Sequence, residues 1–323
     1  MMFEVLTRRS FVSALAASGT ARLLPALAAE DGAQPAADAS ALKVTRYTVA
    51  VGAATPFTAL HISDTHLSFV DRVDGKPSQR NAEARRKCFP GAEAGLKAAF
   101  AYAREHGALL IHTGDLIDYI NDGNLAAAAA WKAASRGGLL AAGNHEYCQM
   151  VSDGKVEDEA YKAASRARVQ AVYPDNLLFA SRIVNGVNFV LFDNIYYYVP
   201  AGVPEMFEVE AAKGLPMVLC CHVPFYTESL YQAVTRGRAD RPPYLCGVPD
   251  AIIAGVKDAY RRKQQRADAR TKAFVARLTA EPLVKAILCG HLHWAHVSEF
   301  APGVKQYCVG ANFKAEAFEL TFC

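Results

Sequence analysis

The chain carries five short apolar runs, and each ends at a polar motif. Phe57–Ile62 leads into SDTH (Ser63–His66), and Leu109–Thr113 into GDLID (Gly114–Asp118). Leu139–Ala142 leads into GNHE (Gly143–Glu146), Met217–Cys221 into the lone His222, and Ala286–Cys289 into GHLH (Gly290–His293). Apolar runs this short, bounded by glycine or polar residues, read as buried strands. Open α/β sheets bind ligands outside the carboxyl ends of their strands. Five such ends can therefore present their side chains to one crevice.

The motif residues share one chemistry. Asp64 and His66, two apart at a strand end, can chelate a single ion, and His291 and His293 repeat that arrangement. Asp115 can bridge two ions, because a carboxylate oxygen has several lone pairs. Singly, each motif has a bland reading: a Gly-Asp pair after a strand is more often a turn or a helix N-cap. In order, they supply two aspartates, one asparagine (Asn144) and four histidines, the donor list that two adjacent divalent metals need. His145 is a further histidine beside Asn144.

The ordered series DxH, GDxxD, GNHE, lone His, GHxH resembles the calcineurin-like metallophosphoesterases, from about Phe57 to the C-terminus. The resemblance implies an α/β fold, a four-layer α/β/β/α sandwich with two mixed β-sheets and a binuclear site between strand ends. By motif it assigns Asp64, His66, Asp115 and His293 to one metal. Asp115 is shared with the second, which takes Asn144, His222 and His291. His145, not a ligand, would face the substrate and assist the leaving group. Two ions about 3.5–4 Å apart share a water and lower its pKa, so the expected reaction is attack of a bridging hydroxide on a phosphate ester. The oxygen and nitrogen ligands suit two divalent ions, Mn or Fe with Zn also compatible, and disfavour copper. Purple acid phosphatases place a tyrosine ligand three residues after the bridging aspartate. Here that position is Asp118, with Tyr119 one residue too late, which argues against a tyrosinate–iron site. The expected activity is that of a phosphodiesterase or phosphomonoesterase on a small phosphate ester. The alternative is a non-catalytic, metal-containing binding or scaffold module of the same fold. A scaffold should have lost ligands or His145, and every position is filled.

Residues 1–28 read as a twin-arginine signal peptide. Thr7-Arg8-Arg9-Ser10-Phe11 precedes a weakly apolar stretch, Val12–Leu27, and Ala26-Leu27-Ala28 offers a small-residue cleavage site. A membrane anchor is disfavoured by Gly19, Arg22 and Pro25, since a spanning helix wants about 20 predominantly apolar residues. Residues 29–42 read as a flexible tether, and 43–323 as the catalytic domain with a cap-like insertion at about 225–282. The expected location is periplasmic or extracellular, with the twin-arginine export machinery as partner and no stable membrane partner. A net charge of +3 gives no reason to expect nucleic acid. Of the eight cysteines, Cys220, Cys221 and Cys289 lie in apolar runs and read as buried thiols. Cys88, Cys148, Cys246, Cys308 and Cys323 read as better placed for oxidation.

Between the motifs, helices are expected at Ala92–Glu105, Leu125–Ser135, Val156–Val172 and in the basic stretch Tyr260–Arg270. Strands are expected at Val44–Val49, Val304–Val309 and Ala317–Phe322. Asn185-Gly186 between apolar runs signals a hairpin. His61 and His112 read as core or supporting residues, and His296 as surplus to a full ligand set. Arg80, Arg85 and Arg86 read as a solvated helix face with a possible role towards phosphate. Tyr196–Tyr198 reads as an aromatic rim or as packing.

Overall fold

The computed structural model describes residues 41–70, 75–149 and 156–323. The segments read from sequence as a signal peptide (1–28) and, but for Ala41 and Leu42, as a tether (29–42) lie outside these residues. Strands β1 (Lys43–Val49), β2 (Phe57–Ile62), β3 (Leu109–His112), β4 (Leu139–Leu140) and, at the C-terminus, β11 (Glu316–Phe322) form one sheet. Its order is β1-β11-β2-β3-β4. Strands β5 (Phe179–Val184), β6 (Val187–Phe192), β7 (Met217–Cys220), β8 (Val284–Cys289), β9 (His296–Ala301) and β10 (Val304–Cys308) form the other, ordered β5-β6-β7-β8-β10-β9. Both sheets are mixed, as expected. β2, β3 and β4 run parallel, and so do β6, β7, β8 and β10, so each set delivers its carboxyl ends to one edge.

Alternation along the strands divides the core into three layers. Ala59, Ile111, Phe318 and Leu320 of the first sheet meet Phe189, Leu191, Val218 and Leu288 of the second in one cluster. Leu60, Ile62 and Leu110 point the other way. Past α1 (Gly75–Cys88), they pack under helices α2 (Ala92–Glu105), α3 (Asp122–Ala134) and α4 (Glu159–Gln170), with Leu96, Trp131 and Tyr161 among the helical contributors. On the second sheet, Val190, Leu219 and Ile287 face α5 (Val203–Ala211) and, later in the chain, the helix at Ala269–Ala280, through Phe207, Phe274 and Leu278. The result is the expected four-layer sandwich. Strands covered on both faces read as continuous apolar runs, which is why the pattern was visible.

A fourth, smaller cluster lies beyond β7. It joins Leu230 and Tyr231 of α6 (Glu228–Thr235) to Leu245, Val248 and Ile253, the last from α7 (Asp250–Ala254), with Leu292 and Trp294 packed against it.

Several boundaries differ from the sequence expectation for identifiable reasons. The helix expected at Leu125–Ser135 starts at Asp122, because the Asn121 side chain caps it by accepting from Asn124 N at 2.7 Å. That expected over Val156–Val172 is α4, shortened by an Asp158 cap. The basic stretch Tyr260–Arg270 is two helices, α8 (Ala259–Gln264) and α9 (Ala269–Ala280), each with an aspartate N-cap, Asp258 and Asp268. Asn185 and Gly186, with φ of 47° and 82°, make the hairpin turn between β5 and β6. No disulfide joins the described residues, and Cys246 and Cys308 are buried rather than poised for oxidation. Both belong to the helix-covered core of the second sheet, Cys308 as the last residue of β10.

Candidate metal centre

Each motif begins where a parallel strand stops, and the backbone there is unusual. Asp64, His66, Asp115, His291 and His293 all have φ between 55° and 72°. This left-handed region is uncommon for residues other than glycine, and strained backbone of this kind clusters at functional sites. It persists because neighbouring loops brace it: Asp64 N donates to Gly114 O and His66 N to Asp115 O, both at 2.9 Å. The motif glycines are needed for closeness. A Cβ at Gly143 would strike the Asp115 carboxylate, and one at Gly290 the Ser63 hydroxyl and Asp64 carboxylate.

All seven residues expected as ligands meet at this edge. Asp64, His66, Asp115 and His293 place one donor atom each within 4.8 Å of one another. His293 Nε2 lies 3.3 Å from Asp64 Oδ1 and 3.0 Å from His66 Nε2. Beside them, Asn144 Oδ1 lies 3.2 Å from His222 Nε2 and 3.0 Å from His291 Nδ1. Asp115 Oδ2 stands between the two groups, 3.7 Å from His66 Nε2 and 3.2 Å from His222 Nε2.

The electrostatics suit cations. Asp64 and Asp115 are buried carboxylates whose ion-pair partners, among the described residues, are histidines rather than lysine or arginine. An ionised carboxylate out of water needs a countercharge. Burial alone would raise both pKa values, but the adjacent histidines hold them well below the carboxylate range. The histidines divide. Burial pushes His291 down to about 3 and lowers His66, leaving neutral rings with lone pairs to offer. For His222 burial is outweighed by Asp115 and Asp64, which raise it to about 10. Two aspartates, an asparagine oxygen and four imidazoles, already converged and short of positive charge, fit a pair of divalent ions.

Groups behind the donors fix their orientation, as outer partners of metal ligands do. His222 Nδ1 meets Thr113 O at 2.8 Å, turning Nε2 inward. His66 Nδ1 meets Asp118 Oδ1 at 3.1 Å. Asp118 also lies 3.2 Å from His145 Nδ1 and takes a two-pronged contact from Arg85. His66, Asp118 and His145 form a second close group of possible metal donors. With the Arg85 cation already seated on its carboxylate, that group is read as support. His145 stacks edge-on to His66 at 4.6 Å, keeps 21% side-chain exposure and bonds through Nδ1 to Asp118 O at 2.7 Å. Its pKa is raised to about 9, because Asp115 and Asp118 outweigh its burial.

Three residues support the donors in a way the motifs alone do not signal: Asp118, Glu146 and Arg85. Glu146 is buried and accepts from the N–H groups of Asp115, Leu116, Ile117 and Gly143 and from Tyr173 OH, locking GDLID to GNHE. Arg85 is not simply a solvated residue, since it turns inward to Asp118, and Arg86 bonds Ser68 O. His61 and His112 are buried against Thr113 and Thr65.

Fold and donor set together define an α/β sandwich with a carboxylate–histidine centre at its strand ends. The chain belongs to the calcineurin-like phosphoesterase family, whose sequence model matches residues 57–295. Solved structures similar to it include a dimetal phosphatase from Danio rerio, 13% identical with a TM-score of 0.39, covering 80% of this chain and 88% of that one. A purple acid phosphatase from yellow lupin seeds is 11% identical with a TM-score of 0.44, covering 81% of this chain and 45% of that one. A 5′-nucleotidase from Candida albicans is 15% identical with a TM-score of 0.34, covering 80% and 45%. The chain thus spans less than half of the lupin and Candida chains. No curated protein matches it in sequence.

Proposed function

We propose that this chain is a binuclear metal-dependent phosphoric ester hydrolase. The observation that carries the reading is the placement of Asp115 Oδ2 between two donor groups, His66 with Asp64 and His293 on one side, His222 with Asn144 and His291 on the other. Asp64, His66, Asp115, Asn144, His222, His291 and His293 would hold two divalent ions, Mn or Fe by donor type, which when bound would supply the positive charge that acidifies a water and neutralises phosphoryl oxygens. The chain's own residues do the rest. Asp118 holds the proton on His145 Nδ1, which leaves Nε2 as the nitrogen able to meet a substrate. A protonated His145 Nε2 can donate to the departing oxygen. The small cluster that packs on Leu292 and Trp294, beside GHLH, supports reading the inserted segment as a cap that selects among small organic phosphate esters. The twin-arginine leader supports export to the periplasm or beyond.

The test is metal analysis of the purified protein with turnover of bis-p-nitrophenyl phosphate and p-nitrophenyl phosphate. His145→Ala should keep both metals and lose about 10²–10⁴-fold in turnover, whereas Asp115→Asn should lose metal. Normal activity in both variants would sink the assignment.

A further inference from the structure

The loop after β6, Asp193-Asn194-Ile195-Tyr196-Tyr197-Tyr198, belongs to none of the five motifs, yet it touches two residues of the second donor group and the neighbour of a third. Tyr197 OH lies 3.1 Å from His291 Nε2. Tyr196 OH lies 3.4 Å from Asn144 O. The Asn194 side chain grips the backbone of Val223, next to His222, donating to its O at 2.6 Å and accepting from its N at 3.1 Å.

Tyr196 and Tyr197 are both left-handed, with φ of 62° and 69°. For bulky side chains that conformation is an outlier, and it survives only where the surroundings over-determine it. Here they do. Asp193 and Lys162 form an ion pair at 2.9 Å, both side chains fully buried, and Asp193 Oδ1 also accepts from Ile195 N at 2.9 Å. The Lys162 ammonium sits 4.2 Å from the ring centre of Tyr198. A strained turn pinned by a buried ion pair delivers one hydroxyl to one ring nitrogen.

We infer that Tyr197 is a positioning residue for the second metal, holding the His291 ring with Nδ1 towards Asn144 and accepting a hydrogen bond from Nε2–H when Nδ1 binds an ion. The inference rests on the binuclear reading above. It is to His291 what Thr113 O is to His222 and Asp118 to His66, with one difference. Those partners only accept, but a hydroxyl can donate or accept. Tyr197 can therefore donate to Nε2 while Nδ1 carries the proton, and accept from it once Nδ1 is bound to an ion.

The test is calorimetric titration of Mn²⁺ into the full-length, chelator-stripped protein. Wild type should take two ions. Tyr197→Phe should take the first with unchanged affinity and the second about 10–100-fold more weakly, the usual cost of losing an outer partner. Tyr198→Phe, in the same loop but with its hydroxyl on Glu159 Oε2 at 2.8 Å and away from the donors, should leave both affinities unchanged. Wild-type affinities in Tyr197→Phe overturn the inference, as does equal weakening in both variants, which would mean loop integrity matters and not the hydroxyl. Fewer than two ions in wild type overturns the binuclear reading, and the tyrosine's role with it. A long-range ¹⁵N–¹H spectrum of the Zn²⁺-loaded wild type needs no variant: His291 must carry its proton on Nε2, and a proton on Nδ1 overturns the proposal.

Discussion

Asp118→Asn offers the sharpest probe of how the centre is held, because the change is isosteric and every partner of that carboxylate is defined. Arg85 Nη2 donates to Asp118 Oδ1 at 2.9 Å, and the side chains are 19% and 0% exposed. The same carboxylate lies 3.1 Å from His66 Nδ1 and 3.2 Å from His145 Nδ1. An asparagine keeps the shape but removes the charge, and its NH₂ cannot accept. Breaking a buried pair by removing one partner costs about 3–5 kcal/mol. Arg85 keeps some solvent, so the low end, about 3 kcal/mol, is expected. At about 2–4 °C per kcal/mol for a domain of this order, the metal-free protein should melt about 6–12 °C lower. The metal-loaded protein should also lose about 10–100-fold in turnover, since His66 loses the carboxylate that fixes its tautomer and His145, still held by the Asp118 carbonyl, loses the adjacent negative charge. Scanning calorimetry of the stripped protein separates the first effect from the second, which is read in p-nitrophenyl ester hydrolysis. A variant that melts within about 1 °C of wild type and turns over normally would refute the claim that this carboxylate organises the site.

Glu146→Gln should destabilise by about 3 kcal/mol or more. One end of the new amide cannot accept, so at least two of the five donors lose a charged acceptor worth about 1.5 kcal/mol each; a urea midpoint equal to wild type would contradict this. Lys162→Met leaves Asp193 buried without its partner and should cost about 3–5 kcal/mol, while pairing it with an apolar replacement of Asp193 should recover most of the loss in the same denaturation assay. Mn²⁺ at about 100 times its Kd should raise stability by about 2.7 kcal/mol through its preference for the folded site. A melting temperature indifferent to Mn²⁺ and to chelator would mean that the buried aspartates do not bind the ion.

What could be read from the sequence was what is local in the chain. A strand, its last residue and the turn after it are contiguous, so Asp64, Asp115, Asn144, His222, His291 and His293 each announced themselves beside an apolar run, and a shared edge was the economical arrangement. Sheet order was not local: β11 inserts between β1 and β2, a pairing no short pattern encodes. The same distance hid the supports. Arg85 and Asp118 are 33 residues apart, and Tyr197 and His291 are 94 apart. Each pair meets because parallel strands bring the segments that follow them, a helix in the case of Arg85, to one edge. Some signals were local and still misread: Asp258 and Asp268 are N-caps that split the basic stretch, and Asn121 starts α3. Cys308 was misjudged because β10 is covered by helices on its outer face, a matter of layers rather than of neighbours in sequence. The donor atoms of a metal centre must lie at ligand-forming strand ends, but the groups that turn those donors inward need only touch them. They are therefore free to come from anywhere in the chain, which is why a motif can name the ligands while the structure is needed to find what aims them.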